Sequence, residues 1–165
     1  AGEFGAVPAG DIVIVSVLYA NVVPVVAQYG DALAGRVIVD ISNPFNATAD
    51  GLAIPDDTSI AQEVAKAAPA SASVVKAFNT VFGVVLAKGR PLDVFVAGDD
   101  ARAKAAFAEF IESLGLRPLD VGATAGISRD ERATGASGST AASDDDDAKR
   151  TERGTFLPAM VSIAT

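Results

Sequence analysis

Strand-like and helix-like patterns of apolar residues alternate along the first 121 positions of the chain. Short β-branched runs predict strands near 11–17, 37–41, 73–78, 93–97 and 116–121. Apolar residues three and four positions apart predict helices with one buried face at 21–33, 59–68 and 100–114, and 81–87 is a further short helix. This alternation is typical of a layered α/β sheet. We expect a mostly parallel, doubly wound sheet in which strand 11–17 lies beside strand 37–41.

Residues with known capping preferences mark the predicted helix ends. Ser59 and Gln62 have the spacing of a capping box, in which the first turn bonds reciprocally to its cap. Asp99 and Asp100 precede the helix at 100–114 and predict an N-cap there. Pro24 falls in the first turn of the helix at 21–33, where its missing N–H costs no hydrogen bond. These signals make the strand–helix assignment consistent at its boundaries.

Polar residues directly follow two of the predicted strands. Asp40-Ile-Ser-Asn-Pro44 follows one β-branched run, and Lys76-Ala-Phe-Asn79 follows another. Open parallel α/β sheets bind their ligands outside the carboxyl ends of the strands. Together with the strand at 11–17, the two segments predict the second half of a Rossmann-type dinucleotide-binding domain.

Four segments in matching order carry a family resemblance over about two-thirds of the chain: Asp11–Tyr19, Gly30–Pro44, Val74–Thr80 and Asp93–Asp100. Together they resemble the NADP oxidoreductases that act on the deazaflavin coenzyme F-420. The resemblance implies NADP(H) as cofactor and coenzyme F-420 as co-substrate. It also implies direct hydride transfer between two redox rings, for which the cofactors supply the chemistry and the protein the alignment.

The resemblance further implies which residues face the cofactors. Val17, Leu18 and Tyr19 would lie against the cofactor, and the site of hydride transfer would be surrounded by Asn43, Pro44, Ala77, Phe78 and Asn79. Leu18 stands where the family usually has Pro, which would alter the loop over the cofactor. No metal ligand is expected, and no side chain is assigned as a catalytic acid or base.

The family's glycine-rich turn has no counterpart in the printed sequence. Residues 1–10 contain Gly2, Gly5 and Gly10 without a preceding strand, and we expect them to be a linker or a trimmed end. A G-x-G-x-x-G turn places backbone N–H groups and a helix N-terminus on the pyrophosphate. We therefore expect an N-terminally truncated family member that binds NADP(H) weakly, and its activity stays open. The alternatives are a non-catalytic α/β binding module and an NADPH-dependent reductase of another acceptor, such as a metal ion or quinone.

The polar residues at the strand ends also have structural interpretations. Asn43 and Asn79 can bond to a ring amide or simply make turns. Asp40 can hold an adenine ribose, but a helix cap or turn is the favoured interpretation. Lys76 is a partner for a cofactor phosphate or, as favoured, a solvated residue at a strand end.

Composition narrows the chemistry. The chain has 165 residues, a formal charge of −8, and neither His nor Cys, so the usual general base, thiol nucleophile and disulfide are excluded. The negative charge argues against nucleic acid as a partner. Every apolar run is too short to span a bilayer, and we expect a cytoplasmic protein whose partners are small-molecule redox cofactors.

The composition changes after residue 121. Residues 122–165 begin with a stretch rich in Ala, Gly, Ser and Thr, and no large apolar residue lies between Ile127 and Phe156. Such a segment buries too little surface to offset its ordering entropy, so we expect a low-complexity, disordered tail. In the family this region begins a Leu-rich helix that pairs subunits, which would make a homodimer. One set of codons for residues 133–142, shifted by one nucleotide, encodes such a Leu-rich stretch, so divergence and a frameshift both stay open.

Overall fold

A computed structural model describes residues 5–48, 50–55, 57–124 and 162–163. The strands are β1 (Ile12–Val15), β2 (Val37–Asp40), β3 (Ser73–Ala77), β4 (Asp93–Gly98), β5 (Arg117–Gly122) and β6 (Ser162–Ile163). The helices are α1 (Tyr19–Tyr29), α2 (Ile60–Ala67), α3 (Gly83–Leu86) and α4 (Ala101–Ser113), and a 3-10 turn, Gly30–Leu33, follows α1. The predicted elements are all present, and some observed ends coincide with the predicted ones while the others differ by one to four residues.

The strands form one sheet in the order β5-β4-β3-β2-β1-β6. The β1–β2, β2–β3 and β4–β5 pairs are parallel, so the predicted neighbourhood of the first two strands is confirmed. β4 runs antiparallel to β3. A parallel return needs a crossover over a face of the sheet, and here the chain between them forms only the four-residue α3. The sheet is therefore a mostly parallel Rossmann-type sheet, as expected.

Helix α1 begins two residues before its predicted start. It opens at Tyr19, where the carbonyl of Leu18 accepts a bond from the N–H of Asn21. Pro24 consequently lies inside the helix rather than in its first turn, which corrects the prediction. Because proline has no N–H, Pro24 cannot donate the helical bond to the carbonyl of Ala20, four residues earlier, and α1 lacks that one bond.

Helices cover both faces of the sheet. On one face, Val22 and Val26 of α1 and Val64 of α2 pack in a buried cluster with Val13 of β1 and Ile38 of β2. On the other face, α4 packs its buried residues against a second cluster: Ala103, Phe107 and Ile111 against Val39, Val75, Ala77, Val94 and Val96. The alternation of side chains along the strands supplies both faces with apolar residues. The helices on both faces hold β1, β2 and β3 so that their carboxyl ends lie side by side at one end of the sheet.

The described residues continue slightly beyond 121, and the predicted domain boundary there stays a prediction. β5 runs to Gly122, and Thr124 is 3% exposed. β6 pairs antiparallel with β1, so its two residues join the sheet. The rest of the predicted tail, 125–161 and 164–165, lies outside the described residues, as do 1–4. Within the described part of the chain, no helix has the length and apolar character that crossing a membrane requires.

Candidate active site

Three loops with predicted site residues leave neighbouring parallel strands at the same edge of the sheet. β2 lies between β1 and β3, and the registers align Val15, Asp40 and Lys76 side by side. The segments that follow these positions carry the eight residues expected to face the cofactors: Val17, Leu18, Tyr19, Asn43, Pro44, Ala77, Phe78 and Asn79. The sheet topology thus brings the three segments to one rim, where α/β folds bind ligands.

Asn43 and Asn79 are in direct contact across this rim. The Asn43 Nδ2 group donates to the Asn79 carbonyl oxygen at 2.7 Å, and the Asn79 Nδ2 group donates to Asn43 Oδ1 at 3.3 Å. Both residues are half-buried. The two side chains therefore form a single amide pair that joins the β2 loop to the β3 loop.

The residues beside the amide pair are fixed by packing. Pro44 and Ala77 are buried. Phe78 has φ of 58°, in the left-handed region that non-glycine residues rarely occupy. Its ring contacts Phe107 of α4 edge-on, with centroids 6.1 Å apart and planes at 86°. This backbone angle lies between the end of β3 and Asn79, which bonds to Asn43 of the β2 loop.

The β1 loop contributes a more exposed, apolar part of the rim. Leu18 is 74% exposed, while Val17 and Tyr19 are partly buried against the cluster beneath α1 and α2. These three residues lie at the rim through the adjacency of β1 and β2. The described contacts join only the β2 and β3 loops through polar bonds, and the cofactor-facing role of all eight residues stays a prediction.

Asp40 and Lys76 lie beneath the amide pair and form a buried ion pair. Lys76 Nζ is 2.8 Å from Asp40 Oδ2, and the side chains are 2% and 0% exposed, respectively. The prediction that Lys76 is a solvated residue at a strand end is therefore wrong. The strands on both sides and the helices over this face of the sheet exclude water from its position. The turn interpretation of Asp40 is confirmed, since Oδ1 accepts from the N–H of Ser42 at 2.9 Å. Among the described residues that follow Asp40, the next helix is α2, which begins at Ile60 and is capped by Ser59.

The two acidic residues before α4, Asp99 and Asp100, have different roles. Asp100 is the N-cap, and its carboxylate accepts from the N–H groups of Ala103 and Arg102, which hold the pKa of Asp100 below its ordinary value. Asp99 does not cap the helix. It accepts from Thr124 through the backbone N–H at 2.9 Å and the hydroxyl at 2.7 Å. The end of the described domain is thereby tied to the loop before α4.

The buried ion pair is the feature that the sequence reasoning missed. A signal for it exists in the sequence, because Asp40 and Lys76 are each the fourth residue of a buried parallel strand. Opposite charges at matching positions of adjacent strands are expected to pair. Phe78 carries no comparable signal, because a positive φ at a phenylalanine is set by its surroundings.

The amide pair fits the nicotinamide end of a dinucleotide. A carboxamide needs both a donor and an acceptor, and asparagine side chains supply both. The phosphate end has less support, because Lys76 is committed to Asp40 and no G-x-G-x-x-G turn occurs in the sequence. Among the described residues, no cluster of acidic side chains is arranged to hold a metal ion.

Comparisons with known proteins identify relatives of this chain. The F420-dependent NADP reductase of Methanocaldococcus jannaschii is 34% identical over 122 residues, which are 68% of this chain and 54% of that protein. A solved structure from Arthrobacter sp. FB24, provisionally assigned as an F420-dependent NADP-reductase, superposes with a TM-score of 0.68 at 28% identity. That match covers 79% of this chain and 63% of the other. The chain is a homologue of the F420-dependent NADP reductases.

The homologous region also relates this chain to a reductase of another kind. The metalloreductase STEAP3 of Rattus norvegicus is 36% identical over 99 residues, covering 58% of this chain and 19% of the rat protein. The chain thus spans about half the length of the archaeal F420-dependent NADP reductase and a fifth of the metalloreductase. No family model matches the chain. The predicted relation to the F420-dependent NADP reductases is confirmed.

Proposed function

We propose that this chain forms the nicotinamide-facing part of an NADP(H)-dependent oxidoreductase that exchanges hydride with a deazaflavin coenzyme. The observation that carries the proposal is the amide pair of Asn43 and Asn79 at the rim of β2 and β3. The homology to the F420-dependent NADP reductase of M. jannaschii supports the choice of cofactor and co-substrate.

The amide pair keeps hydrogen-bonding capacity for a ligand. Each asparagine side chain has two N–H donors and an oxygen with two lone pairs, and the mutual bonds use at most one N–H of each. The remaining groups can bind the nicotinamide carboxamide as donor and acceptor together. Because the two asparagines also bond to each other, their side chains are already ordered. Binding of a ligand therefore costs little further side-chain entropy.

The chain's residues would orient rings rather than move protons. A bound nicotinamide supplies the hydride chemistry. Asn43 and Asn79 would fix the rotation of its carboxamide and hence the face of the ring presented to the acceptor. Leu18, which is exposed at the rim, would contact the ring and exclude water. The lack of His and Cys is compatible with this role, since direct hydride transfer needs no side-chain acid or base.

Reduced nicotinamide mononucleotide is the appropriate probe, because it carries the nicotinamide without the adenine half. We expect it to shift the side-chain amide resonances of Asn43 and Asn79 in a ¹⁵N-edited NMR titration. Adenosine monophosphate serves as the control and should leave them in place. In Asn79→Ala the Asn43 response should weaken at least about tenfold, which is the loss of roughly one good hydrogen bond. Unchanged resonances in the wild type at millimolar probe would contradict the proposal.

A second candidate shares the donor side and differs in the acceptor. The 36% identity to the rat metalloreductase supports a metal ion as the alternative acceptor. The two candidates separate in an assay with NADPH and either coenzyme F420 or a ferric chelate. Reduction of the deazaflavin alone supports the first candidate, and reduction of the chelate alone supports the second.

A further inference from the structure

The buried ion pair holds the backbone of Ser42 from both sides. Asp40 Oδ1 accepts from the Ser42 N–H at 2.9 Å, and Lys76 Nζ donates to the Ser42 carbonyl oxygen. Asp40 and Lys76 also bond to each other at 2.8 Å. The backbone at the start of the β2 loop is thus hydrogen-bonded to a carboxylate from its own strand and to an ammonium group from β3.

The ion pair lies near the amide pair on both β2 and β3. Asn43 lies three residues after Asp40, and Asn79 lies three residues after Lys76. Asp40 and Lys76 are direct partners in the β2–β3 register. The ion pair therefore spans the same two strands as the amide pair and lies immediately before it on both.

Stability alone does not account for a buried ion pair. Removing two charges from water is costly, and well-packed apolar residues at such sites are often equally or more stabilising. A hydrogen-bonded pair does, however, restrict the geometry of the groups it contacts. The backbone of Ser42 is such a group here, and it immediately precedes Asn43.

We propose that Asp40 and Lys76 are positioning residues that fix the β2 loop so that Asn43 meets Asn79 at bonding distance. The role of the amide pair in binding nicotinamide rests on the proposed function. The claim that the ion pair sets the Asn43–Asn79 geometry concerns the ligand-free chain and is independent of any cofactor.

The decisive variant is the apolar double replacement Asp40→Val with Lys76→Met. It removes both charges at once, so no unpaired charge is left in the interior and the fold is expected to persist. Ser42→Ala is the matched control, because within the described residues the Ser42 hydroxyl is buried without a hydrogen-bond partner. That change keeps the Ser42 backbone, through which the ion pair acts.

The readout is the protection of the Asn43 side-chain amide in the ligand-free protein. In the wild type and in Ser42→Ala, we expect a slowly exchanging Nδ2 proton and a nuclear Overhauser contact between Asn43 and Asn79. In the double variant, we expect cooperative unfolding to be retained, exchange of that proton to accelerate at least about tenfold, and the contact to disappear.

Each alternative outcome overturns the inference. A folded double variant that keeps the protected amide would show that the ion pair does not set the geometry. A double variant that fails to fold would show that the pair serves stability instead. Titration with reduced nicotinamide mononucleotide then tests the other claim separately: if the wild type does not respond while its amide geometry depends on the pair, the positioning role holds and the proposed function fails.

Discussion

At the residue scale, the buried Lys76 is a position where a single substitution should destabilise the fold strongly. Lys76→Met alone leaves the Asp40 carboxylate in the interior without its cation. We expect a loss of about 3–5 kcal/mol in the free energy of unfolding, measured by urea denaturation. Lys88→Met, at an exposed lysine, is the control and should change stability by less than about 0.5 kcal/mol. Equal effects of the two substitutions would contradict the burial of Lys76.

A second prediction at this scale concerns the support of Phe78. Its backbone angle costs of the order of 1–3 kcal/mol, and the packing of its ring against Phe107 helps to maintain it. Phe107 is fully buried, so we expect Phe107→Ala to cost about 3–5 kcal/mol. Phe110→Ala removes a partly buried ring from the same helix and should cost clearly less.

The effect of Phe107→Ala on the site distinguishes support from general packing. If Phe107 holds Phe78 in place, its removal should also release the Asn43–Asn79 bonds, which the side-chain amide spectrum reports. Phe110→Ala should leave those resonances unchanged. Disturbance of the amide pair by Phe110→Ala but not by Phe107→Ala would contradict the role of the edge-on ring contact.

At the scale of elements, the sequence predicts local structure better than site chemistry. The capping box at Ser59 and the strand at 37–41 follow from short-range preferences and apolar period, and both are confirmed. The antiparallel direction of β4 depends on whether the segment between β3 and β4 packs on the sheet. No local sequence pattern indicates this. The burial of Lys76 depends similarly on the β2–β3 register and on the helices that cover it.

The N-terminus of α2 gives a prediction at this scale. Ser59 accepts from the N–H of Gln62 and also donates to the carbonyl of Thr124, so one side chain stabilises the helix and anchors the end of the described domain. We expect Ser59→Ala to lower the free energy of unfolding by about 1–2 kcal/mol. Ser113→Ala, at an exposed position near the end of α4, should have little effect. Chemical denaturation of both variants provides the comparison.

At the scale of the whole molecule, stability should decline under acidic conditions and change little near neutrality. The sequence contains no His, so no side chain with an ordinary pKa near neutrality is present. Hydrogen bonds from Arg117 lower the pKa of Asp93, and those from Lys104 lower the pKa of Asp120. Capping bonds do the same for Asp100. Each carboxyl group therefore binds a proton less readily in the folded chain than in the unfolded chain.

The sign of the effect follows from this difference. Because the unfolded chain takes up protons first, stability is fully present above the ordinary carboxyl pKa range and is lost as the pH falls through and below it. The net charge of −8 acts in the opposite direction, since protonation relieves repulsion. At about 0.15 M salt, charges more than about 8 Å apart are largely screened, whereas the Asp93–Arg117 and Asp120–Lys104 contacts are 2.6 and 2.9 Å long. The local contacts should therefore dominate.

We expect the free energy of unfolding to be nearly constant from about pH 5.5 to 8 and to decline below about pH 4.5. Urea denaturation at fixed ionic strength measures this profile. The double variant Asp93→Asn with Asp120→Asn removes two of the responsible carboxylates, so its acid decline should be shallower than that of the wild type. Glu109, an exposed acid outside these contacts, provides the control: Glu109→Gln should leave the slope unchanged. A wild-type stability that rises toward acid pH would show instead that relief of the net negative charge outweighs the paired carboxylates.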